Sequence, residues 1–479
     1  MIEFIETRDG CISVSVDSVL LYSRYSPKKQ IHRFLLDEDL SDCDLLYIVS
    51  DGLGILESMV RELAPHVSPV SIVLSPDIHA LSAAHFEHPT WVYGNNTPLV
   101  PFLRKHTTGV KSGVGRILVW EPAARMFVHA FRTVKPMIES HLRREAHSQL
   151  TTRTFGPRWL RNILRNTRSV PSSVIIDSLT KTSRPVVLLI PGPNAEQCLD
   201  LIAEFRERVV LITVSSALST LQASRLVPDL VVHTDPGFYS SLHFPPGLPP
   251  GAAVLCMPLT AGSPGLRFHR WFPFSNGLLA ESDALAELGI PERIIPEAGT
   301  VTATALRIAD TIRTGSLYVC GLDLCFRDIR SHARGHGFEQ WIHSRTNRFG
   351  PVEGNYLSRA ADTIPGAKGC RYAANLNVYA SWIRDYVAGK EAVFRVNASP
   401  VDLGMVRLNV REFRLHLEQS AGATSDAAYT ASLQQADRLF PEHASRRLLE
   451  RWKELLNEHS PSSELSLELR QLLGTRGLT

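Results

Sequence analysis

Short apolar runs alternate with amphipathic segments through the middle of the chain. Residues 186–190 are apolar, and the turn after them leads into 195–208, which carries apolar residues on one helical face. Further apolar runs follow at similar spacing, at residues 209–213, 230–233, 253–257 and 317–320. Strands that alternate with helices in this way predict a parallel sheet with right-handed crossover connections.

The two ends of the chain have different patterns. Apolar and polar residues alternate at 12–16, which predicts a small antiparallel β unit. A buried strand at 45–49 leads through a glycine turn into a periodic helix at 55–63, the opening of a Rossmann-type unit. After about residue 405 the pattern becomes helical. We therefore predict an α/β protein of three domains: a degenerate Rossmann-like domain (1–140), a Rossmann-type parallel-sheet domain (141–404) and a C-terminal helical bundle (405–479).

Composition narrows the class of protein. The chain has 479 residues, 44% of them hydrophobic and 21% charged, which is typical of a soluble globular protein. No apolar run reaches the roughly 18 residues that span a bilayer, and the acidic N-terminus does not resemble a secretory signal. Seven scattered cysteines without a CxxC pair favour reduced thiols in the cytoplasm. The net charge of +3 gives no reason to expect a nucleic-acid partner.

Small and polar residues follow two successive predicted strands of the central domain. Gly192, Pro193 and Asn194 follow the first strand, where a glycine lets a ligand approach and a helix start presents free N–H groups to an anion. Ser215 and Ser216 follow the second strand and offer hydroxyls to a ribose or a phosphate. Taken alone, each position is also explained as an ordinary turn.

Four further positions extend the same pattern. Asp235 follows the third strand, and its carboxylate is able to accept hydrogen bonds from ribose hydroxyls or a base amino group, although it also suits a loop cap. Gly299 and Thr300 open a helix at residue 301, a second N-terminus able to hold phosphate, and Asp323 follows the fifth strand. Because ligands of open α/β sheets bind beyond the carboxyl ends of the strands, the set predicts a nucleotide site.

His332 is the candidate for proton transfer or contact with a leaving phosphate. It follows Asp323 by nine residues, on a polar loop at 327–337 that also carries three arginines. Histidine titrates near neutral pH and so suits both roles. His336 on the same loop is the competing candidate, and a mechanism without an essential histidine is the third possibility. A basic segment at 143–168 is either a solvated helical connector or an anion-attracting rim.

The order of these motifs resembles the central domain of motility-associated factor (Maf) proteins. Residues 191–194 (PGPN) resemble the family's GPS-type turn, 215–218 (SSAL) its SAL segment, and 227–236 (VPD to DP) its PD…DP strand end. The resemblance continues at 299–301, 321–324 and 331–333, and in flanking segments at 21–27 and 158–163. The same order of elements is similar to bacterial sialyltransferases, in which the glycine turn and the strand-end polar residues hold cytidine monophosphate (CMP).

The resemblance implies an inverting glycosyltransferase with a sialyltransferase-like central domain. Its donor would be the CMP ester of a nonulosonic acid of pseudaminic, legionaminic or sialic type. Its acceptor would be a Ser or Thr hydroxyl of flagellin, in support of flagellar assembly and motility. His332 and Asp235 are the implied catalytic residues. We expect neither a tightly bound cofactor nor a metal, since the predicted central domain (141–404) contains no DxD pair for a metal-bridged diphosphate.

Three departures from the family pattern matter. Asn194 replaces the usual serine, although it still offers a helix cap. The turn at 50–54 lacks the third glycine of a dinucleotide fingerprint, so no cofactor is assigned to the N-terminal domain. Sialyltransferases use a histidine well after the Gly-x-Asp strand, and residues 372–379 contain none.

Two other functions are compatible with the same core. A 6-hydroxymethyl-dihydropterin pyrophosphokinase of the MptE-like type would use ATP and Mg²⁺, but it needs several carboxylates on one face, and only Asp235 and Asp323 are obvious. A catalytically inactive module that binds flagellin is the other alternative. The C-terminal bundle is predicted either to contact a partner or simply to pack on the core.

Overall fold

The computed structural model describes two compact units. They comprise Met1–Thr154 and Phe155–Thr479. The described residues are 1–81, 86–107, 115–169, 173–174, 179–246, 253–263, 268, 270–296, 299–396, 399–420, 429, 436–437, 443–458 and 463–474. The division into three domains at residues 140 and 404 stays a prediction.

The first unit holds two small sheets. Its strands are β1 (Ile2–Glu6), β2 (Ile12–Val16), β3 (Val19–Leu20), β4 (Leu45–Ser50), β5 (Ser68–Val73), β6 (Thr90–Val92) and β7 (Gly115–Val119). Strands β1 to β3 pair antiparallel, as the alternation at 12–16 predicts. The other four form a parallel sheet in the order β6-β5-β4-β7, with β4 buried along its whole length.

Helices surround the parallel sheet of the first unit. They are α1 (Pro27–Leu36), α2 (Ile55–Leu63), α3 (Pro76–Leu81), α4 (Leu99–Thr107), α5 (Glu121–Met126) and α6 (Val128–Arg168), the last continuing into the second unit. Helix α2 follows β4 through the turn at residues 50–54, which confirms the predicted strand, turn and helix.

A ten-stranded sheet organises the second unit. Its strands are β8 (Ser173–Val174), β9 (Val186–Leu189), β10 (Val210–Val214), β11 (Leu230–Val232), β12 (Val254–Pro258), β13 (Arg270–Phe274), β14 (Leu317–Cys320), β18 (Val393–Val396), β19 (Val406–Leu408) and β20 (Ala436–Asp437). The spatial order is β19-β18-β14-β9-β10-β11-β12-β13-β8-β20, and all neighbours are parallel except β8 and β20. Strand order therefore reverses between β9 and β14, where an open α/β sheet binds its ligands.

A small antiparallel sheet and ten helices complete the described part of the second unit. The sheet has β15 (Phe326–Arg327), β16 (Ile364–Pro365) and β17 (Cys370–Tyr372). The helices are α7 (Leu199–Glu204), α8 (Leu218–Ala223), α9 (Leu279–Glu287), α10 (Val301–Ile312), α11 (Glu339–Ser344), α12 (Val352–Ala360), α13 (Ala374–Val387), α14 (Val410–Gln419), α15 (Ala444–Asn457) and α16 (Glu464–Leu473).

The C-terminal helices α15 and α16 pack on the central part of the same unit. Trp452 of α15 is fully buried, in one hydrophobic cluster with residues of β12 and α9. Arg451 pairs with Asp283 and Glu287 of α9 at 2.9 and 3.0 Å. The carboxylate of Glu468 in α16 accepts hydrogen bonds from the backbone N–H groups of the first two α9 residues at 2.8 and 3.0 Å. These helices therefore share a core with the sheet.

Candidate functional site

Two glycine turns meet where the order of the strands reverses. The N–H of Gly192, beyond β9, donates to the carbonyl of Gly321, beyond β14, at 2.9 Å. A Cβ at Gly192 would lie 2.1 Å from that carbonyl oxygen. Gly321 has φ +71°, and a Cβ there would lie 2.0 Å from the carbonyl oxygen of Ile190. Both glycines are thus required by the close approach of the two turns to each other, and the approach of a ligand to Gly192 stays a prediction.

Asp323 holds the turn that contains Pro193 and Asn194. Its buried carboxylate accepts hydrogen bonds from the backbone N–H of Asn194 at 2.7 Å and from its side-chain amide at 3.0 Å. The amide oxygen of Asn194 accepts in turn from Arg327 at 3.0 Å. The Asn194 side chain makes no cap hydrogen bond to the helical turn that begins at Ala195, contrary to the expectation for this residue. Asp323 and Asn194 therefore shape the turn through each other.

Ser215 belongs to a buried set of hydrogen bonds that also includes His233. No role in the site was predicted for this histidine from the sequence. His233 Nε2 lies 3.0 Å from the carbonyl oxygen of Gly262, which accepts only, so Nε2 carries the proton. Nδ1 then accepts from the Ser215 hydroxyl at 2.9 Å. Burial lowers the pKa of His233 to about 4, so the ring is neutral at pH 7. The one signal in the sequence is that His233 ends the apolar run 230–233 and so lies at the end of a predicted strand.

Asp235 presents the accessible carboxylate of the site. Its Oδ1 accepts from the backbone N–H of Gly237 at 2.7 Å, and its side chain is 44% exposed. Its Oδ2 lies 4.0 Å from Nε2 of His243, whose pKa is lowered by burial. The Nδ1 of His243 is buried and has no hydrogen-bond partner among the described residues. Asp235 is thus placed to accept a hydrogen bond from a ligand.

The loop that follows Asp323 lies across the ends of β9 and β10. The N–H of Ala333 donates to the carbonyl of Pro191 at 2.8 Å, and the N–H of Gly337 donates to the carbonyl of Ser216 at 3.0 Å. The hydroxyl of Thr220 donates to the carbonyl of Arg334 at 3.1 Å. These hydrogen bonds, from three separate loop positions, bring the loop to the predicted Gly192 and Ser216 turns.

His332 and His336 stand together on this loop, with ring centroids 5.0 Å apart. Desolvation by surrounding protein lowers the pKa of His332 to about 4, helped by nearby His243 and Arg359. The residue is nevertheless exposed to solvent. His336 is buried, and desolvation lowers its pKa to about 3. Both rings are neutral at pH 7, and an anion bound beside them would raise their pKa values again.

Gly299 and Thr300 stand apart from the hydrogen bonds that join the other predicted residues. The Thr300 hydroxyl accepts from the N–H of Thr302 at 3.3 Å and caps α10, as a residue before a helix is expected to do. Gly299 has φ +75°, and a Cβ there would lie 3.7 Å from the Tyr379 ring. No hydrogen bond of the described residues links either of them to Gly192, Asp235 or Asp323.

Two kinds of feature are absent from the described ranges. No group of three or more His, Cys, Asp or Glu side chains among these residues is arranged to hold a metal ion. No helix of the described part of the chain is long and apolar enough to cross a membrane.

In the first unit, the residues that follow β4 and β7 contact other side chains of the same unit. Asp51 follows β4, and its carboxylate accepts from the Tyr22 hydroxyl at 2.6 Å. The Tyr22 ring stacks on Trp120, which follows β7, at a centroid distance of 5.0 Å. Trp120 donates to the carbonyl of Leu21 at 3.1 Å. The side chains that would flank a ligand are thus engaged with the segment at Leu21 and Tyr22.

Comparison with known proteins supports the assignment of the fold. A family model described as 6-hydroxymethylpterin diphosphokinase MptE-like matches residues 158–328. The solved structure of MAf glycosyltransferase from Magnetospirillum magneticum AMB-1 matches with a TM-score of 0.59 and 15% identity, covering 98% of this chain and 82% of that one. The predicted resemblance is thereby confirmed at the level of the fold: an α/β protein with parallel sheets, C-terminal helices and an MptE-like segment.

Two uncharacterised proteins of Treponema pallidum (strain Nichols) are similar in sequence. One is 31% identical over 270 residues, which cover 55% of this chain and 58% of that protein. The other is 27% identical over 145 residues, which cover 27% of this chain and 37% of that protein. The chain thus matches about three-fifths of the length of the first relative and less of the second, and their names assign no activity.

Proposed function

We propose that the protein is a glycosyltransferase that moves a nonulosonic acid from its CMP ester to a Ser or Thr hydroxyl of flagellin in the cytoplasm. The observation that carries the proposal is the loop at 328–338, which is hydrogen-bonded across the ends of β9 and β10. His332 thereby lies near the ends of β9 and β10, next to the boundary between β9 and β14 at which the strand order reverses. A fold shared with a solved MAf glycosyltransferase supports the reaction class.

The chemistry of the cleft fits a monophosphate leaving group. In the proposed reaction the bond between the anomeric carbon and the phosphate oxygen breaks, and CMP leaves with the electron pair. The acceptor oxygen forms the new bond to that carbon, and its proton passes to a base. The accessible Oδ2 of Asp235 would accept from the nucleotide, and the half-buried Ser216 would offer its hydroxyl to it.

His332 is the proposed site of proton transfer. With a pKa of about 4 its free imidazole is a weak base at pH 7. The phosphate of the bound donor is a diester with one negative charge, and such a charge beside the ring would favour its protonated form and raise its basicity. His332 would then take the proton of the acceptor hydroxyl, or donate a hydrogen bond to the departing phosphate.

Ligand binding by the full chain tests the proposal. We expect CMP to raise the melting temperature and ATP with Mg²⁺ to leave it unchanged. Asp235→Ala should abolish the shift caused by CMP, because the accessible carboxylate is lost. Asp200→Ala, which removes an exposed carboxylate from α7, is the matched control and should keep it. Unchanged CMP affinity in Asp235→Ala would remove this residue from the nucleotide site.

The MptE-like match keeps a pterin diphosphokinase as the second candidate. That reaction transfers a diphosphate from ATP and relies on Mg²⁺ held by several oxygen ligands. The carboxylate of Asp323 already holds Asn194, which leaves Asp235 as the accessible carboxylate among the predicted residues. Diphosphate transfer to 6-hydroxymethyl-dihydropterin, with no binding of CMP, would favour this candidate over the transferase.

A further inference from the structure

An exposed group of aromatic side chains begins three residues after Asp235. Phe238 and Tyr239 lie on a short 3-10 turn and are 78% and 53% exposed. The Tyr239 ring lies 5.7 Å from that of Trp341 in α11, and the guanidinium of Arg345 stands 4.3 Å over the Trp341 ring. We call these four residues the aromatic surface. It joins the turn after β11 to the helix after the His332 loop.

The aromatic surface is anchored to the candidate site at both ends. The 3-10 turn that carries Phe238 ends at His243, whose Nε2 faces Asp235 at 4.0 Å. The ring of His243 packs edge-on against Phe338, just before α11, at 4.4 Å. A molecule seated on the aromatic surface would therefore reach the carboxylate of Asp235 and the His332 loop.

The geometry of the rings favours a polypeptide over a flat ligand. Phe238 and Tyr239 meet at 81°, and Tyr239 and Trp341 at 54°, so the three rings form no common stacking plane. Arg345 covers one face of Trp341. A sugar ring or a nucleobase needs an open aromatic face. Protein interfaces instead are enriched in Tyr, Trp, Phe and Arg at uneven, well-packed centres.

Charge indicates what kind of polypeptide fits. The segment 327–371 contains eight Lys and Arg residues and four Asp and Glu residues, a net charge of +4. The whole chain carries +3, so the remainder is slightly negative. The connection that bears α11 and α12 is thus a basic part of the chain, as the segment 143–168 also is, and it attracts acidic partners.

From these observations we infer that the aromatic surface docks the acceptor polypeptide, through a segment that carries acidic side chains near its Ser or Thr hydroxyl. The inference rests on the proposed function, because it names the acceptor side of the same cleft. It assigns Phe238, Tyr239 and Trp341 to acceptor binding, and Arg345 to pairing with an acceptor carboxylate. None of the four would touch the nucleotide.

The test separates acceptor binding from donor binding. The probes are a fluorescent Ser/Thr peptide flanked by glutamates and its counterpart flanked by lysines, used with the full chain. The variants are Phe238→Ala/Tyr239→Ala and Arg345→Glu, and Tyr25→Ala removes a 61% exposed ring from the first unit as a control. Exposed positions are chosen so that the fold is kept, and a melting curve checks this.

We expect the double variant to weaken binding of the glutamate peptide by about tenfold or more, as truncation of central interface residues does, and to leave CMP affinity unchanged. Arg345→Glu should reverse the preference between the two peptides. Fluorescence anisotropy of the peptide, measured without donor, reports peptide binding to the aromatic surface even if no sugar is transferred. Its result is therefore independent of the CMP assay. Equal peptide affinity in wild type and double variant, or tighter binding of single-stranded RNA than of either peptide, would overturn the inference.

Discussion

The two buried hydrogen bonds of His233, with Ser215 and with Gly262, predict that the second unit loses stability in acid. His233 is completely buried and neutral, with Nδ1 accepting from Ser215 and Nε2 donating to Gly262. Protonation of the ring would turn Nδ1 from an acceptor into a second donor. The Ser215 hydroxyl, which donates to Nδ1 in the neutral state, would then lose its acceptor. Replacing His233 by Gln, which keeps a donor and an acceptor but does not titrate near neutral pH, should remove this sensitivity.

The magnitude follows from the shift of the pKa. The pKa of His233 falls from 6.5 to about 4 on folding, so its contribution to stability is fully present above pH 6.5 and is lost as the pH falls towards 4. One pKa unit corresponds to about 1.4 kcal/mol. Because titration is gradual at both ends, the wild type should lose about 2 kcal/mol more than His233→Gln between pH 7 and pH 5.

The assay must report the second unit alone, since two compact units can unfold in separate transitions. We would titrate the protein with urea at pH 7 and pH 5 and follow unfolding by pulsed hydrogen–deuterium exchange of peptides from β10 and β11. These peptides report the unfolding of the second unit. His343→Gln removes an exposed histidine from α11 and is the matched control, which should keep the wild-type slope. If His233→Gln loses as much stability in acid as the wild type, the neutral, buried state assigned to His233 is wrong.

Three other outcomes follow from the structure. His332→Ala should lower turnover by about 10²–10⁴-fold with little change in CMP affinity, while His343→Ala should keep wild-type turnover. Near-normal flagellin modification by His332→Ala would exclude a role of His332 in proton transfer. EDTA should leave transfer from the CMP donor intact, and activity that is lost with EDTA and restored by Mg²⁺ would favour the diphosphokinase. Glu468→Ala should lower the free energy of unfolding in urea by about 1 kcal/mol, because α9 loses its cap. Replacement of the exposed Glu464 by Ala should lower it little, and equal losses in the two variants would contradict the capping role.

Local patterns predicted several strands of the second unit correctly. Apolar runs located β9 to β12 and β14 because those strands are buried on both faces. The run containing β13, with Arg270 and Pro273 inside it, has no such pattern and was not predicted.

The hydrogen bonds that organise the site join distant segments. The approach of a ligand to Gly192 stays a prediction, but its contact with Gly321, 129 residues later, could not be predicted, because no local pattern shows which carbonyl a turn will meet. Nucleotide binding by Asp323 also stays a prediction, and the hydrogen bond from Asn194 to its carboxylate was not predicted. The role of His233 depends on Gly262, which a strand-end motif does not reveal.

The cap that Glu468 provides for α9 has a consequence for the order of events during synthesis. The first turn of α9 lacks a local side-chain cap and receives one from a residue 188 positions later. At 5–20 residues per second, a ribosome needs about 10–40 s to make the intervening chain. Throughout that interval the N–H groups of Leu279 and Ala280 await their acceptor, and Asp283 and Glu287 await Arg451. Completion of the second unit therefore requires synthesis of the chain as far as α16.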